Sequence, residues 1–156
     1  MLRIVFLLAL TAQCVSSDGE CPLGWKEFQD HCYAFFEEKV NWLVAGPACD
    51  VYNSYLVKID SAAENEWLVS QLKSLNFKDT FTGGSQRLHT FSWEWVPSLE
   101  KFGSYSNWLA GEPNFGSGVE TVLQFWSANN YKWNDVRPSR ELTFVCERAI
   151  KSCDDD

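Results

Sequence analysis

The sequence predicts an α+β domain: two helices, then a loop-rich half holding several short strands. Three observations predict it. Apolar residues recur at three- and four-residue steps over 41–52 and again over 61–75, the period of a helix face. Beyond Asn76, Gly83, Gly84, Pro97, Gly103, Gly111, Pro113, Gly116 and Gly118 cut the chain into short pieces. Between those breaks lie alternating or apolar runs of strand length. No internal repeat or linker divides the chain, so one domain is expected.

Residues 1–17 read as a secretory signal peptide. Met1-Leu2-Arg3 is a basic start, Ile4 to Leu10 an apolar core too short to span a bilayer, and Thr11 to Ser17 a small, polar exit. The domain is then expected over 18–150, with an acidic tail at 151–156. Tyr33-Ala34-Phe35-Phe36 reads as a strand. In the first helix, Trp42, Ala45, Cys49 and Tyr52 share a face. Pro47 removes a backbone donor there, so the helix either starts late, with Pro47 in its first turn, or kinks. Leu56-Val57-Lys58-Ile59 is a short strand. Ser61-Ala62-Ala63-Glu64 is a capping box opening the second helix, whose Trp67, Leu68, Gln71, Leu72 and Leu75 are expected in the core. Phe91 to Trp95, Val122 to Trp126 and Thr143 to Cys146 complete the strands.

The formal net charge of −8 excludes nucleic acid as a natural partner, since binding it needs a basic face. Nothing beyond the leader approaches twenty apolar residues, so no membrane span is expected. Of six cysteines Cys14 leaves with the leader; Cys21, Cys32, Cys49, Cys146 and Cys153 remain for an oxidising compartment. Spacing alone does not give their connectivity, and five leaves one over.

Chemistry concentrates between Glu112 and Cys146. Glu112-Pro113-Asn114, Glu120 and Trp133-Asn134-Asp135 supply three carboxylates and two carboxamides. Oxygen donors on a flexible stretch suit a hard cation such as Ca²⁺, which takes six to eight oxygens. No cysteine or histidine lies between Glu112 and Asp135, so zinc and copper fit poorly. The plain alternative is a solvated acidic loop.

Cys21-Pro22-Leu23-Gly24-Trp25, Cys32-Tyr33, Trp42-x-x-Ala45-x-x-x-Cys49, the capped helix after Ser61, Ser106-Asn107-Trp108, Glu112-Pro113-Asn114, Trp133-Asn134-Asp135 and Phe144-Val145-Cys146-Glu147 together resemble a C-type lectin domain of the long form, close to secreted single-domain lectins of invertebrates. The resemblance covers residues 21 to 148. It implies two helices packed on short antiparallel strands, with a long calcium-binding loop region. It also implies disulfides Cys21–Cys32 and Cys49–Cys146, and a cis Pro113. Glu112, Asn114, Glu120, Asn134 and Asp135 match the family's principal Ca²⁺ ligands, Asp135 also through its backbone carbonyl. Two neighbouring sugar hydroxyls replace water on that ion, with Glu112 and Glu120 as acceptors and Asn114 and Asn134 as donors. A Glu-Pro-Asn site resembles those that choose mannose, glucose, N-acetylglucosamine or fucose; galactose-type sites usually read Gln-Pro-Asp.

The chain departs from the family pattern in three places. The usual inner disulfide aligns with Val122 and Pro138, which should leave the loop at Asn134 less fixed before metal binds. Phe81-Thr82-Gly83-Gly84 stands where a stronger packing motif is usual. Gln86 and Thr121 stand where an auxiliary calcium site carries acids, so one calcium is expected. Phe115, next to Asn114, is placed either to touch sugar or to pack.

The function expected is a secreted, calcium-dependent lectin recognising glycans, microbial surfaces among them. A matrix or biomineral-associated structural protein on the same fold is the alternative, and free mannose separates the two because a matrix role needs no sugar. A glycosidase is disfavoured, because the resemblance gives each carboxylate a metal role and no nucleophile constellation appears. His31 and His89 lie outside every motif. Cys153, left over in the tail, is expected to stay a free thiol or to link two copies.

Overall fold

The apolar run Phe144-Val145-Cys146 lies in the strand on which the sheet is assembled. A computed structural model describes residues 20–87 and 92–150. In chain order the elements are β1 (Lys26–Phe28), β2 (His31–Val40), α1 (Trp42–Asp50), β3 (Tyr55–Leu56), α2 (Ala62–Ser74), β4 (Thr80–Arg87), β5 (Ser92–Trp95), β6 (Glu100–Lys101), β7 (Val122–Trp126), β8 (Lys132–Val136) and β9 (Leu142–Ala149). β9 pairs antiparallel with β2, Ala34 opposite Cys146, and with β3, Leu56 also opposite Cys146. β4 runs parallel to it, with Thr80 and Phe81 opposite Thr143 and Phe144. From there the sheet continues through β5 to β6, and β4 also carries β7, which carries β8. The sheet is therefore mixed, not wholly antiparallel as the resemblance implies, because the chain crosses over between β4 and β9. The signal peptide, Cys14, His89, Phe91, the acidic tail and Cys153 lie outside the described residues.

Strand alternation divides the core in two. Tyr33, Val145, Leu123 and Phe125 turn toward α2 and meet its Leu68 and Leu72. Ala34, Phe144, Cys146 and Val122 turn the other way and meet Ala45 and Cys49 of α1. The disulfide Cys49–Cys146 joins α1 to β9 across a separation of 97 residues, a constraint worth roughly 4–5 kcal/mol by loop entropy. Cys21–Cys32 ties the leading segment to β2.

Asn41 caps α1 by accepting the Val44 N–H, so the helix starts early and Pro47 lies inside it, past the first turn. Tyr52, beyond the helix, is half exposed. Leu75, expected in the core, forms the C-cap of α2 and is 36% exposed. The larger correction concerns Gly83-Gly84, read from sequence as a break. Both lie buried within β4. A Cβ on Gly83 would sit 2.6 Å from the Leu56 carbonyl oxygen, and one on Gly84 2.8 Å from Leu123 Cβ. The glycines are there because neighbouring backbone and side chains approach too closely for anything larger.

The strand expected over Leu56–Ile59 stops after Leu56. The Lys58 N–H leaves the ladder to donate to Glu147 Oε2 at 2.8 Å. The Asp60 N–H donates to Glu64 Oε2 at 2.8 Å, and the Tyr33 hydroxyl to Glu64 Oε1 at 2.8 Å. Only half of the capping box forms: Ser61 Oγ accepts the Glu64 N–H, but the Glu64 carboxylate turns inward to Asp60 and Tyr33. His31 Nε2 stands 3.6 Å from Glu147 Oε1. Burial pushes Glu147 up from 4.5 to about 8, the Lys58 N–H opposing it and the Glu64 and Asp60 charges adding to it.

Glu147 therefore binds a proton in the folded state over a range where the unfolded chain has lost it. Its contribution to stability is full below its ordinary value of 4.5 and is lost as pH rises through about 8. Glu147→Gln keeps an acceptor for Lys58 and carries no charge. Thermal melts in chelator from acid to pH 8 should show the variant flatter than wild type in this window and more stable at its upper end. Parallel curves for the two proteins would refute the assignment.

Candidate metal centre

The loop from Trp108 to Thr121 carries Glu112, Asn114 and Glu120, and β8 holds both of its ends. At its start the Trp133 N–H donates to the Asn107 carbonyl at 2.9 Å, and the Leu109 N–H to the Trp133 carbonyl at 2.9 Å. At its end the Thr121 N–H donates to the Val136 carbonyl at 3.1 Å. Trp133 itself has no exposed surface, and its indole N–H donates to Asn65 Oδ1 of α2 at 2.8 Å. The rings of Trp95, Phe102, Tyr105 and Trp108 stand edge-on around it.

Asn134 and Asp135 are thus strand residues, opposite Gln124 and Leu123 of β7, and not part of a loose loop. Where the inner disulfide is missing, Val122 is buried opposite Val136, and the Pro138 carbonyl accepts the Trp42 N–H at 3.0 Å. Strand pairing and apolar packing hold the segment at the positions where the bridge is absent.

Asp135 is fully buried, and its carboxylate organises the loop above it. Oδ1 accepts the Asn114 N–H at 3.2 Å, and Oδ2 the Phe115 N–H at 2.7 Å. Phe115 takes a left-handed conformation, φ 56°, where the chain turns into the short helical turn Gly116–Gly118. The Glu112–Pro113 peptide is cis. The Glu112 carboxylate accepts the Asn114 N–H at 3.0 Å and its Nδ2 at 2.9 Å. Asn134 Nδ2 donates to the Asp135 carbonyl at 2.6 Å. Burial, then the facing Asp135 carboxylate, holds Glu112 above the usual carboxylate range.

Four of the five residues picked from sequence, Glu112, Asn114, Asn134 and Asp135, are therefore linked by direct hydrogen bonds. Glu120 makes no hydrogen bond to any of them; its carboxylate lies against Gly116, where a Cβ would lie 2.1 Å from Oε2. Among the described residues no three His, Cys, Asp or Glu side chains converge on one point. The donors nevertheless fit a hard cation. Each carboxamide donates one N–H, to Glu112 and to the Asp135 carbonyl, and keeps a second; their Oδ1 atoms accept no hydrogen bond from a described residue, and neither does Glu120. Every open donor is oxygen, in the company of like-charged carboxylates.

Sequence reading missed two supports of this arrangement. Gly116 makes room for Glu120, a role that its place in Gly116-Ser117-Gly118 between two acids could have signalled. Asn65, which anchors Trp133, carries no signal: it is one carboxamide on a helix. Gln86 and Thr121 are joined by the Gln86 N–H to the Thr121 carbonyl at 2.8 Å and bring no charge.

A family profile described as "Lectin C-type domain" matches residues 38–148. A perlucin-like protein of Mytilus galloprovincialis is 37% identical over 148 residues, which span 93% of each chain. Among solved structures, the C-type carbohydrate-recognition domain of cow CD23, determined in the presence of a GlcNAc2Man3 oligosaccharide, is 30% identical with a TM-score of 0.76, over 86% of this chain and 99% of that one. A calcium-independent type II antifreeze protein, at 20% identity and a TM-score of 0.75 over 85% of this chain and 96% of its own, shares the fold alone. With most of its length matched by the profile and by the mussel relative, the chain belongs to the C-type lectin domain family, whose members are not enzymes.

Proposed function

We propose that this chain is a secreted, calcium-dependent lectin for glycans presenting mannose-type hydroxyl pairs. The observation that carries the reading is the pair of carboxamides, Asn114 and Asn134, whose oxygens accept no hydrogen bond from a described residue, hydrogen-bonded into one cluster with the facing carboxylates of Glu112 and Asp135. Those five residues hold the ion, Asp135 also through its backbone carbonyl. Bound there, Ca²⁺ supplies coordination positions that two neighbouring hydroxyls of a sugar ring take in place of water. Glu112 and Glu120 accept hydrogen bonds from these hydroxyls, and Asn114 and Asn134 donate to them. The antifreeze protein has the same fold without calcium, so the reading rests on these side chains and not on the fold. The cow CD23 domain, 30% identical and studied with a mannose-containing oligosaccharide, supports the sugar class. The leader-like residues 1–17 support secretion, where microbial surface glycans are within reach. No helix among the described residues is long and apolar enough to cross a membrane.

The protein should be retained on mannose resin with Ca²⁺ and released by chelator, with a calcium affinity of about 10⁻⁴–10⁻³ M. Gly116→Ala displaces the Glu120 carboxylate, so calcium affinity should fall several-fold while the melting temperature in chelator stays put. Sugar retention that survives excess chelator would sink the mechanism.

Glu112→Gln combined with Asn114→Asp exchanges donor and acceptor across Pro113. Mannose binding should fall and galactose binding rise; a double variant with wild-type affinity for mannose removes these residues from sugar selection.

Cys153 is proposed to link two copies. A single hydroxyl pair gives affinity near the millimolar level, about −4 kcal/mol, and two sites on one glycan surface add a factor of about 10²–10⁴. Non-reducing electrophoresis should give a dimer band that Cys153→Ser abolishes; a monomer band in both samples refutes it.

A further inference from the structure

A groove of about 430 Å³ lies between α2 and β8, lined among others by Glu66, Lys73, Tyr105, Asn107, Asn130 and Lys132. Its two cations are held by neutral groups. Lys73 Nζ donates to Asn130 Oδ1 at 2.7 Å and stands 5.8 Å from the Tyr131 ring centroid; Lys132 Nζ donates to Asn107 Oδ1. Neither takes part in an ion pair among the described residues, whereas Lys58 is clamped by Asp60 and Glu100, Arg87 by Glu94 and Arg140 by Asp79. Glu66 is the one acid lining the groove. On a chain of net charge −8, two ammonium groups bound only by carboxamides leave this groove cationic. The Tyr105 ring, set edge-on against Trp133, adds an aromatic wall to the groove.

The position of the groove fits a ligand shared with the metal centre. Lys132 and Asn134 are alternate residues of β8, on one side of the strand and roughly 7 Å apart. Asn107, the partner of Lys132, is two residues from Leu109, whose carbonyl accepts the Glu112 N–H at 2.9 Å. A sugar linked to one held at Asn134 and Glu112 is thereby brought over the Lys132 end of the groove.

We propose that this groove is a second subsite, taking an anionic sugar residue that bears a sulfate ester or a carboxylate. As a subsite for a linked residue it rests on the lectin reading above; as an anion site it stands on its own lysines. Three disaccharides sharing a terminal mannose test it by calorimetry, the second residue being neutral, sulfated or uronic. At low salt the charged sugars should bind about fivefold more tightly than the neutral one, the scale of two exposed ion pairs, and high salt should erase the difference. Tightening by one anion alone identifies which source the groove accepts. Lys73→Gln with Lys132→Gln should abolish the preference and leave free mannose binding unchanged, while Lys73→Arg with Lys132→Arg should keep the preference. Equal affinity of wild type for all three sugars, or a preference that survives the double glutamine variant, overturns the subsite. A second measurement separates the two readings. N-acetylglucosamine 6-sulfate, titrated in chelator, should shift the amide signals of Lys73, Asn107 and Lys132. Such shifts in a protein that fails to bind mannose with calcium would keep the anion site and refute the calcium lectin; no shifts would refute the anion site whatever the mannose result.

Discussion

The burial of Trp133 is the constraint on which the functional half of the molecule depends. Its indole N–H is satisfied by Asn65, its ring by four aromatic neighbours, and its backbone by Asn107 and Leu109. One side chain therefore fixes helix α2, strand β8 and the start of the long loop relative to one another. A buried indole left without its acceptor is costly, so the Asn65 contact is part of the packing and not an addition to it. Asn134 and Asp135 follow Trp133 along the strand and inherit its position, as Lys132 does on the other side.

Carboxylates are buried in two places, with opposite solutions. At the Lys58–Asp60 segment, Glu64 and Glu147 take backbone N–H groups that would otherwise extend a strand, and burial raises both above the usual carboxylate range. The outcome is a neutral-leaning polar cluster inside the fold. At the loop, Asp135 spends its oxygens on the Asn114 and Phe115 N–H groups, and Glu112 faces it at the surface. There the carboxamide oxygens and Glu120 stay open toward solvent. The first arrangement turns its carboxylates on backbone N–H groups and the Tyr33 hydroxyl; the second also holds carboxamide oxygens that accept no hydrogen bond from a described residue.

Loss of the inner disulfide had a local compensation that spacing could not reveal. Val122 packs opposite Val136, and the five-residue pairing of β7 with β8 holds Asn134 and Asp135 directly. Glu120 is the member of the set hydrogen-bonded to none of the others.

The sequence by itself determined the two helices, the strands at Tyr33, Val122 and Thr143, and the residues of the candidate site. Each is written in a local pattern: helical period, apolar alternation, or oxygen-bearing side chains clustered around glycine and proline. Through resemblance it also carried the two disulfides, whose cysteines the structure bonds in those pairs. Only the tertiary structure decided the rest. Gly83-Gly84 reads locally as a break, yet forms a crowded part of β4, because crowding comes from Leu56, Leu123 and Phe102, distant in sequence. Glu64 reads as a cap and Leu56–Ile59 as a strand, until Tyr33 and Glu147 arrive from other strands to compete for the same groups. The pairing of two lysines with carboxamides across a groove likewise depends on contacts between residues far apart in the chain. Periodicity reports which face of an element is apolar; it carries no information about what the opposite face will meet.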